Sequence, residues 1–529
     1  MLQNRAMATT NAGARVLVDT LRAAGITRIF TLSGNHVMPV FDAALDGGIE
    51  LIHVRHEAAA VHMADAWGRL TGHPGIALVT GGPGHANAVG ALYTAAMAES
   101  PVVLLSGHAP LSELGQGAFQ EMEQAEIAAP LAKASWTSRS AEGIAYDVRR
   151  ALRIAASGRP GPVALSLPTD CLEGKVDRAP AREAPAEAMA SDFDPAEAIA
   201  WLRGAARPLI LTGPVTMTRH GRGARVALEV ALGIPVVGME SPRGVADPAL
   251  GAFAEMLARA DRILLVAKRL DFTLRFGKPP AFAAGSDARE VCAEGDALAA
   301  LAALAGEARG EGPVRGGWLG EVHDAIAFRP AAWDHAASTM AGRMHPVQAL
   351  RPLQAILDSH SDSVFVSDGG EIGQWAQACL SAPNRVINGV AGSIGAALPF
   401  ALAARAALPG VPVVAVMGDG TFGFHPAELD TAVRYGFDFL AVVGNDARWN
   451  AEYQIQLRDY GANRVGGCEL LPTRYDNVAI AFGGYGEHVT RADEVAPAVE
   501  RAVASGLPAV INVALEGQPA PSFEPMKTA

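Results

Sequence analysis

Cysteine is scarce in this sequence, and positive charge is outweighed. The four cysteines, Cys171, Cys292, Cys379 and Cys468, lie far apart and form no CxxC pair. That spacing offers no zinc site and fits a reducing cytoplasm. Lysine and arginine number 43 against 55 acidic residues, a net charge of −12. Such a balance excludes nucleic acid as a main partner, because phosphate backbones call for a basic surface. Small anionic ligands stay open, since a few local donors can override net charge. No apolar run is long and clean enough for a membrane span. The most apolar stretch, GVAGSIGAALPFALAARAAL from Gly389, is broken by Pro399 and Arg405 and reads as a buried helix. The opening MLQNRAMATTNAGARVLVDTL lacks the apolar core of a signal peptide. No convincing GxGxxG follows the first strand of any segment, which argues against a nicotinamide oxidoreductase. The expectation is a soluble cytoplasmic protein.

What is present is an alternation of short apolar runs with helical patterns. Half of the 529 residues are hydrophobic and 57 are glycine, enough for several full cores joined by many turns. Runs at 28–33, 51–55, 76–80, 101–107 and 162–168 read as strands, separated by helical stretches such as EAAAVHMADAWGRLTG from Glu57. A Pro/Ala/charge-rich linker follows. A second set of strands is expected at 208–213, 234–239 and 262–267, and a third at 363–368, 411–418, 438–445 and 508–515. The βαβ rhythm implies an α/β protein of three doubly wound parallel-sheet domains. Their boundaries are placed at 8–175, 195–307 and 345–529, with linkers 176–194 and 308–344. No short-period repeat is visible.

The third segment carries the sharpest chemical signal. VPVVAVMGDGTFGF is a buried parallel strand that stops on Asp419, and in open parallel sheets ligands bind beyond the carboxyl ends of strands. GDG alone is ordinary turn and capping chemistry. However, DFLAVVGND ends on a second carboxylate, Asp446, 27 residues later, the length of one strand–helix–strand crossover. Pro426 and Glu428 suit the start of the intervening helix, and Gly436 suits its end. Neighbouring strands would thus aim two hard oxygen ligands at one place, which suits Mg²⁺ with phosphate oxygens and water. The N–H groups of Gly420 and Thr421, opening the helix, can receive phosphate.

With its following Asn-rich strand end, this GDG segment resembles the diphosphate–magnesium motif of thiamine-diphosphate enzymes, in the acetolactate synthase, benzaldehyde lyase and pyruvate decarboxylase group. The resemblance implies that the first domain binds the cofactor's pyrimidine and the third its diphosphate. It implies Asp419, the side chain of Asp446 and the backbone carbonyl of Arg448 as metal ligands, with Gly418, Gly420, Thr421 and Asn445 around the diphosphate. Asp446 departs from the Asn that many members have there, although some catabolic acetolactate synthases share it. HVRHEAAAVHMADAWGRLTG is similar to the family's activating segment and makes Glu57 the glutamate that shares a proton with the pyrimidine. GVAGSIGAALP is similar to the loop that holds the pyrimidine through the Gly392 carbonyl and the Ile394 N–H, beside Ser393. The Ile394 side chain would then wedge the cofactor into its bent form. ALVTGGPGHANAV and GRPGPVALSLPTD match the family's first-domain glycine loop and closing strand.

Around the reacting carbon, TLSGNHVMPVF is similar to a benzaldehyde lyase segment and makes His36 a proton relay, with a structural histidine the alternative. GAFQEMEQAEIAAP resembles the acetolactate synthase loop, making Gln120 a polar substrate contact beside Phe119; Trp449 and Tyr453 would line the pocket or simply pack. The implied activity is decarboxylation of a pyruvate-like 2-oxo acid followed by carbon–carbon bond formation from the resulting enamine. Alternatives are a lyase acting on 2-hydroxyketones or 2-hydroxyacyl-CoA, and an inactive homologue that binds a metabolite. VAKRLDFTLRFGKPP resembles the CoA lyases more than a flavin segment, so no flavin (FAD) is expected, whereas the C-terminal QPAPSFEPMKTA looks short for a CoA lid. The family implies a homodimer at minimum, and a dimer of dimers is expected. Partners would be small molecules, without nucleic acid or membrane.

Overall fold

The computed structural model describes residues 12–177, 193–309 and 316–523. The readings made on 1–11, on most of the first linker, on 310–315 and on the last six residues lie outside the described residues. The chain divides into two compact units, Met1–Met189 and Ala190–Ala529.

The first unit holds one six-stranded parallel sheet. Its strands are β1 (Arg28–Thr31), β2 (Glu50–His53), β3 (Gly75–Val79), β4 (Val102–His108), β5 (Ala134–Thr137) and β6 (Val163–Pro168). They lie in the order β2-β1-β3-β4-β6-β5. The second unit holds two sheets. The smaller consists of β7 (Pro208–Thr212), β8 (Val236–Gly238), β9 (Arg262–Val266) and β10 (Asp287–Val291), in the order β10-β9-β7-β8. The larger comprises β11 (Val364–Ser367), β12 (Asn384–Ile387), β13 (Val413–Gly418), β14 (Leu440–Asn445), β15 (Tyr485–Val489) and β16 (Ala509–Ala514). Its order is β12-β11-β13-β14-β16-β15, the arrangement of the first sheet over again. In both six-stranded sheets the order reverses beside the first strand, which opens a crevice at the carboxyl ends.

Burial on both faces is why the central strands are continuous apolar runs. In β7, Leu209 and Leu211 enter one core while Ile210 enters another; Ile263 and Leu265 of β9 part from Leu264 and Val266 in the same way. The period of two sends successive side chains to opposite helix layers. The expected buried helix is Ala397–Ala407, and among the described residues no helix is long and apolar enough to cross a membrane.

Four strands are additions to the sequence reading: β5, β10, β12 and β15. Each is an edge strand. An edge needs no continuous apolar run, and DAREV of β10 and YGEHV of β15 are mostly partly exposed or exposed. The stretch read as a long connection before His345 also contributes to a core. Its helix Trp318–Ala327 inserts Trp318, Val322 and Ala325 against β7 and β9. Within the second unit a buried ion group joins the two sheets: Arg385 of β12 reaches Glu240 at 2.9 Å and Asp247 at 3.2 Å, both beyond β8.

Candidate active site

β13 and β14 pair directly, with Gly418 opposite Gly444, so the carboxylates that follow them emerge side by side. The intervening helix runs Glu428–Tyr435 and stops on Gly436 in the left-handed region, with Pro426 just ahead of it. A cavity of about 310 Å³ opens here. It brings together nine of the expected residues: Gly392, Ile394, Gly418, Asp419, Gly420, Thr421, Asp446, Arg448 and Trp449. Ser393, Asn445 and Tyr453 are not in its lining. Asn445 is occupied elsewhere. Its Oδ1 accepts from Ala447 N, and its Nδ2 donates to the Thr473 carbonyl at 2.8 Å and to Asn512 at 3.1 Å. It shapes the turn that delivers Asp446 and Arg448, a turn in which Ala447 has φ +58°. A non-glycine residue in that region stores strain of about 1 kcal/mol or more. Tyr453 supports the wall from behind, its ring 4.3 Å from the Arg448 guanidinium carbon.

Asp419 is 2 % exposed. Its Oδ1 accepts from Gly420 N at 3.0 Å, which occupies one of the two amides expected to face phosphate, whereas its buried Oδ2 has no hydrogen-bond partner among the described residues. Burial pushes its carboxyl up to about 6. Burial and then the charge of Asp419 push Asp446 up to about 7, against the pull of Arg448. Two half-desolvated carboxylates and an orphaned oxygen are a donor set that a divalent cation satisfies. Gly420 is required for a different reason: a Cβ there would stand 2.7 Å from the Trp449 ring.

Several cavity residues carry no motif and escaped the sequence reading. Glu371 and Gln374 stand on the helix Gly370–Cys379 after β11, and they hydrogen-bond to each other. Burial raises the Glu371 carboxyl, opposed by the charge of Arg243. Arg243 itself comes from the loop after β8, in the other sheet of this unit. Asp368, at the end of β11, is the anchor of the 389–397 loop. Its carboxylate accepts from Gly369 N at 2.7 Å, Gly395 N at 3.0 Å and Ala397 N at 3.1 Å. Burial raises its pKa, and those three bonds oppose the rise. Its available signal was position, since SVFVSD ends on a carboxylate as VPVVAVMGD does.

In the first unit the expected residues Glu57, His36, Gln120 and Phe119 gather around one loop, Thr80–Gly84. Glu57 opens the helix Glu57–Thr71, which His56 caps by accepting from Ala58 N. The Glu57 side chain reaches the helix Pro83–Met97, where Asn87 Nδ2 donates to its Oε2 at 3.1 Å. His36 is 3 % exposed, its Nδ1 is 3.1 Å from Thr80 Oγ1, and its ring stacks on Phe119 with centroids 6.1 Å apart. Burial, then the charge of His108, lowers its pKa, so the ring is neutral at pH 7 and able to take or give a proton. Gln120 adopts φ +57° and packs against Gly82, with its Oε1 buried and unpartnered. Gln124, unremarked in the sequence, holds this loop: it accepts from Gly82 N at 2.8 Å and donates to the Gly107 carbonyl and Ser166.

Fold and site together define an α/β protein with a carboxylate-lined cavity at one switch point and a glutamate–histidine cluster at another. Two family models match these regions. Residues 11–127 match the thiamine pyrophosphate enzyme N-terminal TPP-binding domain, and residues 368–513 match the C-terminal TPP-binding domain. The acetolactate synthase large subunit of Mycobacterium tuberculosis is 34 % identical over 97 % of each chain. The 2-hydroxyacyl-CoA lyase 2 of Homo sapiens is 29 % identical over 96 % of this chain and 90 % of the relative. The acetolactate synthase large subunit of Parasynechococcus marenigrum is 28 % identical over 95 % and 87 %. The chain belongs to the thiamine pyrophosphate enzyme family.

Proposed function

We propose that the protein is a thiamine-diphosphate- and Mg²⁺-dependent decarboxylase and carboligase of acetolactate synthase type, using a pyruvate-like 2-oxo acid as donor. The observation that carries the cofactor assignment is the partnerless Asp419 Oδ2 beside Asp446 at adjacent strand ends. Among the described residues no group of three or more His, Cys, Asp or Glu forms a metal centre. A Mg²⁺ ion here would therefore add the Arg448 carbonyl, diphosphate oxygens and water to the two carboxylates. The acetolactate synthase relatives support the substrate class.

When bound, thiamine diphosphate supplies a carbon nucleophile and an electron sink for making or breaking the bond next to a carbonyl. The chain's own residues do the rest. Asp419 and Asp446 would hold the metal beside the cofactor's diphosphate. Ile394, packed against Gly369, lines the cavity and would support the cofactor's rings. Glu57 would be the carboxylate that holds a proton toward the pyrimidine of the bound cofactor. His36, buried and neutral, moves a proton at the substrate oxygen, and Gln120 offers its amide to the same group. Trp449 lines the cavity, and the exposed Phe119 ring, stacked on His36, would cover the substrate. The family resemblance supports a homodimer or larger as the active form, and the proposal includes a cytoplasmic location and no flavin requirement.

A second reading is a carbon–carbon lyase acting on 2-hydroxyketones or 2-hydroxyacyl-CoA. The buried His36 between Thr80 and Phe119 and the 2-hydroxyacyl-CoA lyase 2 relative favour it. Titration calorimetry with thiamine diphosphate and Mg²⁺ tests the cofactor: micromolar binding is expected, and none would overturn the proposal. Product analysis on 2-oxo acids, 2-hydroxyketones and acyl-CoA esters separates the readings. Release of CO₂ from pyruvate with a branched hydroxy acid product is expected; cleavage without CO₂ would favour the lyase.

A further inference from the structure

The two oxygens of the Glu57 carboxylate meet different surroundings. Oε2 accepts the hydrogen bond from Asn87 Nδ2 at 3.1 Å. Oε1 lies toward Gly84, 3.4 Å from where a Cβ would stand, so the glycine adds no side chain of its own against that oxygen. Asn87 sits three residues after Gly84 on the helix Pro83–Met97, on the same face. That helix packs along Glu57–Thr71, with the small residues Ala60, Ala64, Ala88, Ala91 and Ala95 buried. The donor and the acceptor are thus held by two rigid elements.

An ionised carboxylate only accepts, so the nitrogen of the Asn87 amide is the atom that faces it. A proton placed on Oε2 would make it a poorer acceptor and weaken this bond. The amide therefore keeps Oε2 an acceptor and leaves Oε1 as the oxygen that gives and takes the proton. We propose that Asn87 is a positioning residue which fixes Glu57 so that Oε1 alone does the proton exchange. The inference rests on the reading of Glu57 as the carboxylate that activates bound thiamine diphosphate. It differs from a purely structural role, in which Asn87 would only tie two helices together.

The test uses the full-length protein loaded with thiamine diphosphate and Mg²⁺. The exchange rate of the cofactor's thiazolium C2 proton is read by rapid quench in D₂O and NMR, beside cofactor affinity by calorimetry. Asn87→Ala removes the donor and is expected to slow exchange about 10-fold. Asn87→Asp has the same shape but presents acceptors to Oε2, and is expected to slow it about 100-fold, the loss typical of a misaligned reacting group. Both variants should lower kcat, keep KM and bind cofactor within about 3-fold of the parent. A tie between helices predicts the reverse order, with the isosteric Asp milder than Ala. That order, or parental exchange in Asn87→Asp, overturns the inference. Glu57→Gln is the control. If it exchanges at the parental rate, the reading of Glu57 has failed; if it alone stops exchange, only the role of Asn87 has.

Discussion

The sheets β1–β6 and β11–β16 have one strand order and two chemistries. After β3 the chain enters a glycine loop and a 15-residue helix, whereas after the matching β13 it enters a four-residue turn of helix that opens on Asp419. After β2 comes Glu57 on a helix; after the matching β12 comes the irregular loop that Asp368 pins through the backbone N–H groups of Gly395 and Ala397. The first sheet's rim collects histidines and amides around one carboxylate. The third sheet's cavity collects Glu371, Asp419, Asp446 and Glu452 against Arg243 and Arg448. The same topology yields the same crevice, because strand order decides where the carboxyl ends open. The loop residues differ between the two crevices, and on the proposed function the first moves protons and the second holds charge, which makes binding and chemistry separable by mutation.

The largest effect should come from breaking that division. Glu57→Gln is expected to lower kcat by about 10³-fold while cofactor affinity stays within a few-fold. Asp419→Ala is expected to remove detectable binding of thiamine diphosphate with Mg²⁺ by calorimetry. Equal losses of affinity in both variants would refute the division of labour. Next, Arg385→Met removes the buried cation that Glu240 and Asp247 share. It should destabilise the second unit by about 3 kcal/mol, read as faster hydrogen exchange in β8 and β12 with the first unit's sheet unchanged.

The pH response should also differ between the units. Burial lowers His62 to about 3 and His85 to about 4 in the first unit. Their folded pKa values lie below the unfolded 6.5, so this stability is complete above pH 6.5 and declines as pH falls toward 4 and 3. About 2 kcal/mol per histidine is lost by pH 5. In the second unit Asp368 and Glu371 are raised, so their contribution is complete below the carboxylate range and declines as pH rises. Hydrogen exchange at pH 5 and 7.5, resolved by unit, should show the first unit loosening in acid more than the second; parallel loosening would count against it. The smallest effect is Asp446→Asn. It keeps the ligand oxygen and removes its charge, and should weaken Mg²⁺ about 10-fold while leaving kcat near parental at saturating metal.

Much of this was readable in the residues, and the gaps have physical causes. Every central strand shows as an apolar run because both its faces are covered. The edge strands β5, β10, β12 and β15 do not, since ASWT or DAREV satisfies an edge without such a run. Asp419 and Asp446 were visible through crossover spacing, and Glu57 through its matching segment. Arg243 and Glu371 were not, because their meeting depends on a loop from one sheet reaching a helix of another. The family resemblance made Asn445 a diphosphate contact, yet its amide is spent on Ala447, Thr473 and Asn512.

What the sequence determined by itself is the alternation of strands and helices, the carboxylates at strand ends and the family segments, since each is encoded by local spacing. Tertiary structure alone decided that the first and third sheets share one order, that Oδ2 of Asp419 is left without a partner, and that Asn87 claims one oxygen of Glu57. Those facts depend on which distant groups close around a side chain, and packing settles that only when the chain is folded.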